Sequence, residues 1–75
     1  MEELVSILKG IHPEIDYETE NGLIDKRIFD SFDIVTLVGQ LTEEYDIEIG
    51  PEDLLPENFN SAKQIYELVE RLMEE

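Results

Sequence analysis

Ser31 is the residue of this chain best placed to do chemistry. It stands in the run Phe29-Asp30-Ser31-Phe32-Asp33, which opens an amphipathic stretch that ends at Tyr45. A serine at the start of a helix lies near free backbone N–H groups and the positive end of the helix dipole. An anionic group attached there would gain about 0.3–1 kcal/mol at an exposed site. This stabilisation is compatible with an attached anionic group, but it is too small to identify this serine as the attachment site.

The residues alone suggest three interpretations of Ser31. The first is a helix cap, since serine and aspartate both cap helices, and Asp30 could cap while Ser31 takes the first helical position. The second is a hydrolytic nucleophile, which fails because the chain lacks a Gly-x-Ser-x-Gly motif and its single histidine, His12, stands in another segment. The third is covalent modification that leaves a phosphodiester on the Ser31 oxygen. Physical reasoning alone favours the cap.

Other candidate sites are weak. The chain has no cysteine, and therefore no disulfide and no thiolate metal site. Its carboxylate clusters, at 18–20 and at Glu52-Asp53, lack the Asp-x-Asp-x-Asp-Gly pattern of a calcium loop. We therefore predict no metal site and no catalytic residue, and we expect His12 to be a surface or loop residue rather than a ligand.

The charge of the chain is strongly negative, with 20 acidic residues against 5 basic ones and a net charge of −15. Nucleic acid and anionic membranes would be repelled, because both bind through Lys and Arg. Residues 28–62 carry no basic residue at all. This distribution favours a protein partner with a basic patch. On charge alone, an acidic surface that only interacts with water is an equally good explanation.

The length predicts one small domain, residues 1–75. No linker or internal repeat divides it. The N-terminus is acidic where a signal peptide would be basic, and no apolar run is long enough to span a membrane. We therefore expect a cytoplasmic monomer that does not insert into a membrane.

Hydrophobic spacing predicts helices throughout. Leu4, Leu8 and Ile11 mark a first helix that Pro13 stops. Residues 12–30 form a long loop that we expect to lie on the core, because it contains several apolar residues: Ile15, Tyr17, Leu23, Ile24 and Ile28.

The second helix has the strongest pattern, and two further helical segments follow it. Its core stripe is Ile34, Leu37, Val38, Leu41 and Tyr45. Residues 46–49 read as an extended connection, and residues 51–54 suit a single helical turn. Ser61 and Gln64 form a capping-box pattern that starts a final helix, whose inward residues are Ile65, Leu68, Val69 and Leu72. The sequence therefore predicts an all-α four-helix bundle, with three main helices, one short helix and a long first loop.

The outer side of the second helix carries apolar residues close to Ser31. At about 100° per residue, Phe32 and Val35 fall opposite the core stripe, together with Thr36, Gly39 and Glu43. Two exposed apolar residues rimmed by carboxylates indicate a docking patch. The alternative is that Phe32 folds back over the loop.

The segment from Phe29 to Ile49 resembles the second-helix region of acyl carrier proteins. That family shows Asp-Ser-Leu or a close variant, then an aliphatic helix and Glu-Phe-Asp-Ile or similar; here the two motifs are Asp30-Ser31-Phe32 and Glu44-Tyr45-Asp46-Ile47. The likeness in element order covers nearly the whole chain. It implies that Ser31 accepts 4′-phosphopantetheine from coenzyme A, through a phosphopantetheinyl transferase with Mg²⁺, and that the arm carries acyl groups as thioesters. It also implies partner-binding roles for Asp30, Phe32, Asp33, Val35, Glu43 and Glu44.

Three departures from the family pattern narrow that implication. Phe32 replaces the common leucine, Thr36 replaces a glutamate of many fatty-acid carriers, and Gly39 replaces a bulky apolar residue, which close approach of a partner would explain. They count against a role in housekeeping fatty-acid synthesis, and residues 56–65 are similar to stand-alone carriers of specialised pathways. Residues 56–65 also resemble D-alanyl carrier proteins, which usually have Ser-Met-Gly at the site. The remaining alternative is a non-carrier acidic helical adaptor in which Ser31 is only a cap.

Overall fold

The computed structural model describes residues 1–74, and within that range it contains four α-helices and no β-strand. The helices are α1 (Glu2–Ile11), α2 (Ser31–Tyr45), α3 (Pro56–Phe59) and α4 (Ala62–Met73), and a 3₁₀ turn spans Pro51–Asp53. The all-α prediction is confirmed. No helix in residues 1–74 combines the length and the apolar character that crossing a membrane requires.

Helices α1, α2 and α4 pack around one aliphatic core. Its largest fully buried side chains are Leu4, Leu8, Leu23, Leu37, Leu41, Ile65, Leu68 and Val69. On α2, Leu37 and Leu41 are fully buried, whereas Ile34, Val38 and Tyr45 are half-buried against the core. The predicted core stripe of α2 is therefore confirmed, and its edges lie partly in solvent.

The long loop fastens itself to the end of α1. The buried Tyr17 hydroxyl lies 3.0 Å from the carbonyl oxygen of Leu8 and 2.8 Å from that of His12, two carbonyls at the end of the helix. The carbonyl of Leu8 also accepts the backbone N–H of His12 at 2.9 Å, so the tyrosine adds a side-chain contact that ties the loop to the end of α1. Burial of the ring raises the pKa of Tyr17 to about 12. Leu23 and Phe29 are buried as well, which confirms that the loop lies on the core.

Asn60, between α3 and α4, holds the middle of the loop. Its side-chain oxygen accepts the backbone N–H groups of Ile24 and Asp25, both at 3.0 Å, and its carbonyl oxygen accepts the N–H of Leu23 at 2.9 Å. One buried residue thus satisfies three consecutive backbone donors of the loop. The segment that leads to Ser31 is anchored at this point.

The ends of α2 and α4 follow from their sequences. Ser61 caps α4, since its hydroxyl oxygen accepts the N–H of Gln64 at 3.1 Å, as predicted. Helix α2 ends at Tyr45, and the backbone of the next residue, the C-cap Asp46, is left-handed (φ 52°, ψ 51°). Aspartate tolerates this conformation better than most residues.

The region after α2 differs from the prediction. The expected turn at residues 51–54 is a 3₁₀ turn over Pro51–Asp53, and the four-residue helix α3 was not predicted. Four residues are too few to show a helical period. The only sequence signal for α3 is Pro56 at its first position.

We predict that Asn60→Ala destabilises the protein by about 1–3 kcal/mol, because the N–H groups of Ile24 and Asp25 lose their shared acceptor. Urea unfolding measures the change. Asn58→Ala is the matched control, since it removes one hydrogen bond, from the half-buried side chain to the carbonyl of Asp53, and should cost less. Equal losses in the two variants would contradict the anchoring role of Asn60.

Candidate functional site

Two aspartates cap the N-terminus of α2 reciprocally. Asp30 is the N-cap residue, and its carboxylate accepts the backbone N–H of Asp33 at 2.8 Å. The carboxylate of Asp33 accepts the N–H of Asp30 at 3.3 Å. This is a capping box built from carboxylates on both sides. Aspartate, and not Ser31, therefore caps α2.

Ser31 occupies the first position of α2 and is exposed. Its hydroxyl makes no hydrogen bond with any of residues 1–74. Ser61 provides the contrast, because its hydroxyl caps α4 directly. The Ser31 hydroxyl is thus open to a reagent from solution, at the end of a helix that favours anionic groups.

The exposed face of α2 beside Ser31 is apolar in its first half. Phe32 is 77% exposed and Val35 is 70% exposed, so Phe32 does not fold back over the loop. Asp30, Glu43 and Glu44 are exposed as well, and Thr36 is half-buried. We call the residues Phe32, Val35, Gly39 and Glu43 the outer face of α2. The exposure predicted for the two apolar residues is confirmed.

Gly39 leaves a gap in the outer face. A Cβ atom added at this position would meet no neighbouring atom within 4 Å. Packing within the chain therefore does not require glycine here. The gap lies one turn from Val35 and one turn from Glu43, as the helical spacing dictates.

Asp33 has an intramolecular partner that sequence reasoning missed. Its carboxylate oxygen Oδ2 lies 2.8 Å from Nε2 of His12, and its side chain is only 22% exposed. The other ring nitrogen, Nδ1, lies 3.1 Å from the carboxylate of Glu14. His12 is a loop residue at the end of α1, as expected, but the structure brings it to the site. No local pattern signals a contact between residues 21 positions apart.

The two partners shift each other's titration. The hydrogen bond to Asp33 raises the pKa of His12, and Glu14 adds to the effect, while partial burial opposes it. The hydrogen bond from His12 lowers the pKa of Asp33, and the N–H of Asp30 lowers it further. Each member of the pair therefore favours the charged form of the other.

An apolar hollow of about 110 Å³ lies between α2, the long loop and α3. Its lining residues are Ile24, Ile34, Leu54, Leu55, Pro56 and Phe59. Ordinary ligand pockets measure about 300–1,000 Å³, so the hollow cannot enclose a large ligand in this conformation. It offers apolar surface one helical turn along α2 from Ser31.

In residues 1–74 no three His, Asp or Glu side chains are grouped so that they could hold a metal ion. The chain matches no protein-family model and no solved structure. The family resemblance of the sequence stays a prediction.

We predict that Gly39→Ala stabilises the protein by about 0.5–1 kcal/mol, because alanine is the better helix former and its Cβ would meet open space. Thermal unfolding measures the change. Gly10→Ala in α1 is the matched variant, since its Cβ also meets nothing within 4 Å, and it should stabilise too. Destabilisation by Gly39→Ala alone would show that residue 39 is constrained within the chain.

Proposed function

We propose that this chain is a carrier protein: Ser31 accepts 4′-phosphopantetheine from coenzyme A, and the thiol of the arm carries acyl groups as thioesters between partner enzymes in a specialised pathway. The observation that carries the proposal is the free, exposed Ser31 hydroxyl at the first position of α2, where Asp30 does the capping. The chain itself catalyses nothing in this scheme.

The modification requires only an acceptor oxygen from this chain. Ser31 Oγ forms a bond to the phosphorus that carries the pantetheine, 3′,5′-ADP leaves, and the hydroxyl proton passes to the transferase or to solvent. The new phosphodiester is negative and lies beside Asp30 and Asp33. The helix dipole favours it, and the contact of Asp33 with His12 reduces the repulsion from that carboxylate.

The outer face of α2 supports docking to partners with basic patches. Its exposed apolar pair lies beside Ser31, and exposed carboxylates stand at both ends of the helix, at Asp30 and at Glu43 and Glu44. Carboxylates speed the encounter with a cationic surface, and a small apolar contact fixes the orientation. Tethering then raises the effective concentration of the cargo in each active site.

The hollow beside Ile34 favours an apolar cargo. Its lining consists of aliphatic and aromatic side chains and a proline. A short acyl chain can lie against such surface, whereas the ammonium group of a D-alanyl cargo loses hydration there. We therefore place an acyl group ahead of a D-alanyl or other aminoacyl group.

We predict that incubation with coenzyme A, Mg²⁺ and a broad-specificity phosphopantetheinyl transferase raises the intact mass by one phosphopantetheine. Ser31→Ala should abolish the increase, because it removes the acceptor oxygen. Ser6→Ala is the matched control, since it removes another exposed helical serine, and it should be modified fully.

An unmodified wild-type chain, under conditions that label a known carrier, would contradict the proposal. It would favour the alternative of a non-carrier acidic adaptor, which uses the same outer face without the arm.

We predict that Phe32→Ser lowers kcat/KM of the transferase for this carrier about tenfold, because an apolar anchor at the centre of an interface contributes on the order of 1–2 kcal/mol. Steady-state kinetics with varied carrier concentration measure the change. Met73→Ser is the matched control, since Met73 is an exposed apolar residue on α4. Equal effects of the two substitutions on kcat/KM would contradict a docking role for the outer face.

A further inference from the structure

We propose that His12 is a positioning residue for Ser31: its imidazolium holds the Asp33 carboxylate and thereby fixes the first turn of α2 against the end of α1. This inference rests on the proposed function, because the reaction that it serves is the modification of Ser31. We call the contact of His12 with Asp33 the clamp.

The contacts of the ring call for its charged form. Nε2 lies 2.8 Å from Asp33 Oδ2, and Nδ1 lies 3.1 Å from Glu14 Oε2. Ionised carboxylates only accept hydrogen bonds, and a neutral imidazole has a single N–H to donate. Two carboxylate partners on one ring are therefore satisfied together only when both nitrogens carry a hydrogen.

His12 is held from several sides, so it is a firm point of attachment. Its carbonyl oxygen lies 2.8 Å from the Tyr17 hydroxyl, a hydrogen bond. Its ring lies against the buried ring of Phe29, with 5.0 Å between the centroids and a 51° tilt between the planes. The backbone N–H of Phe29 in turn donates to the carbonyl of Leu23 at 3.0 Å. The clamp therefore joins α2 to the core of the molecule.

The clamp reaches Ser31 through the capping box. The oxygen of Asp33 that contacts His12 also accepts the N–H of Asp30 at 3.3 Å, and the N–H of Asp33 donates to Asp30 at 2.8 Å. Ser31 and Phe32 lie between these two aspartates. A displacement of Asp33 would disturb both hydrogen bonds of the capping box that flanks Ser31.

The titratable groups that face His12 are Asp33 from α2 and Glu14 and Tyr17 from the loop. The pKa of His12 is raised above 6.5, so the clamp is complete below that value and is lost as the pH rises through the folded-state pKa. The pKa of Asp33 is lowered below 3.8, so its part persists above that value and is lost only in stronger acid. The clamp thus opens on the alkaline side.

The first test is an NMR titration of the intact chain. In the wild type, the His12 ring should titrate above 6.5, and the backbone amides of residues 31–33 should shift with the same midpoint. Asp33→Asn should lower the His12 midpoint more than the matched Glu14→Gln does. A His12 midpoint at the ordinary value, with silent amides at residues 31–33, would overturn the clamp.

The second test compares kcat/KM for modification of the wild type and of His12→Gln at each pH. The ratio cancels the pH dependence of the transferase itself. It should be several-fold above one at about pH 6 and approach one at about pH 9, as His12 becomes neutral. Lys9→Gln is the matched control, because it removes one positive charge near the end of α1, and its ratio should not change with pH.

Two results of the second test overturn the positioning role. A ratio above one that is independent of pH would mean that His12 acts by packing alone. A ratio below one at about pH 6 would mean that the clamp withholds Asp33 from the transferase.

Failure of the proposed function can be distinguished from failure of the clamp. Absence of any mass increase in the wild type and in His12→Gln contradicts modification of Ser31, and the positioning role falls with it. The NMR titration then decides independently whether the clamp exists.

Discussion

The capping of α2 by two carboxylates is the interaction on which the site depends. A helix N-terminus needs acceptors for its free N–H groups, and a serine at the N-cap position commonly supplies one. In α2 the N-cap is Asp30, and Ser31 takes the first helical position. Here Asp30 and Asp33 satisfy each other's backbone N–H groups, so Ser31 has no structural duty in the cap. The same arrangement concentrates negative charge at the turn, and the contact of Asp33 with His12 offsets part of it.

The long loop determines where that turn lies. Loops longer than about 12–15 residues are uncommon in compact domains. A loop of nineteen residues that made no contacts with the core would not fix the position of the start of α2. This loop is fixed at the end of α1 by Tyr17, in the middle by Asn60, and at its own end by the buried Phe29. The turn at Ser31 is therefore held in place by a loop that is anchored to the core.

The sequence predicted what depends on local period and on capping chemistry. The spacing of Leu37 and Leu41 identified the buried side of α2, and the positions of Phe32 and Val35 identified the exposed side. The contacts that the sequence could not predict are long-range: Asn60 with Ile24, and His12 with Asp33. Each joins polar groups that are far apart in the chain, and no periodic pattern records such a pairing. Helix α3 was missed for another reason, because a single turn has no period to detect.

The carboxylates at the two ends of α2 interact differently with the helix dipole. At its N-terminus, acidic residues agree with the helix dipole, and Asp33 already has a hydrogen-bond partner in His12, whose pKa that contact raises. At its C-terminus, Glu43 and Glu44 stand in a last turn without any basic residue, where each carboxylate opposes the dipole by about 0.3–1 kcal/mol. Residues 28–62 supply no lysine or arginine to offset them. Cations from a partner would relieve that unfavourable interaction, so under the proposed function the strongest electrostatic attraction should lie at the far end of α2 from Ser31.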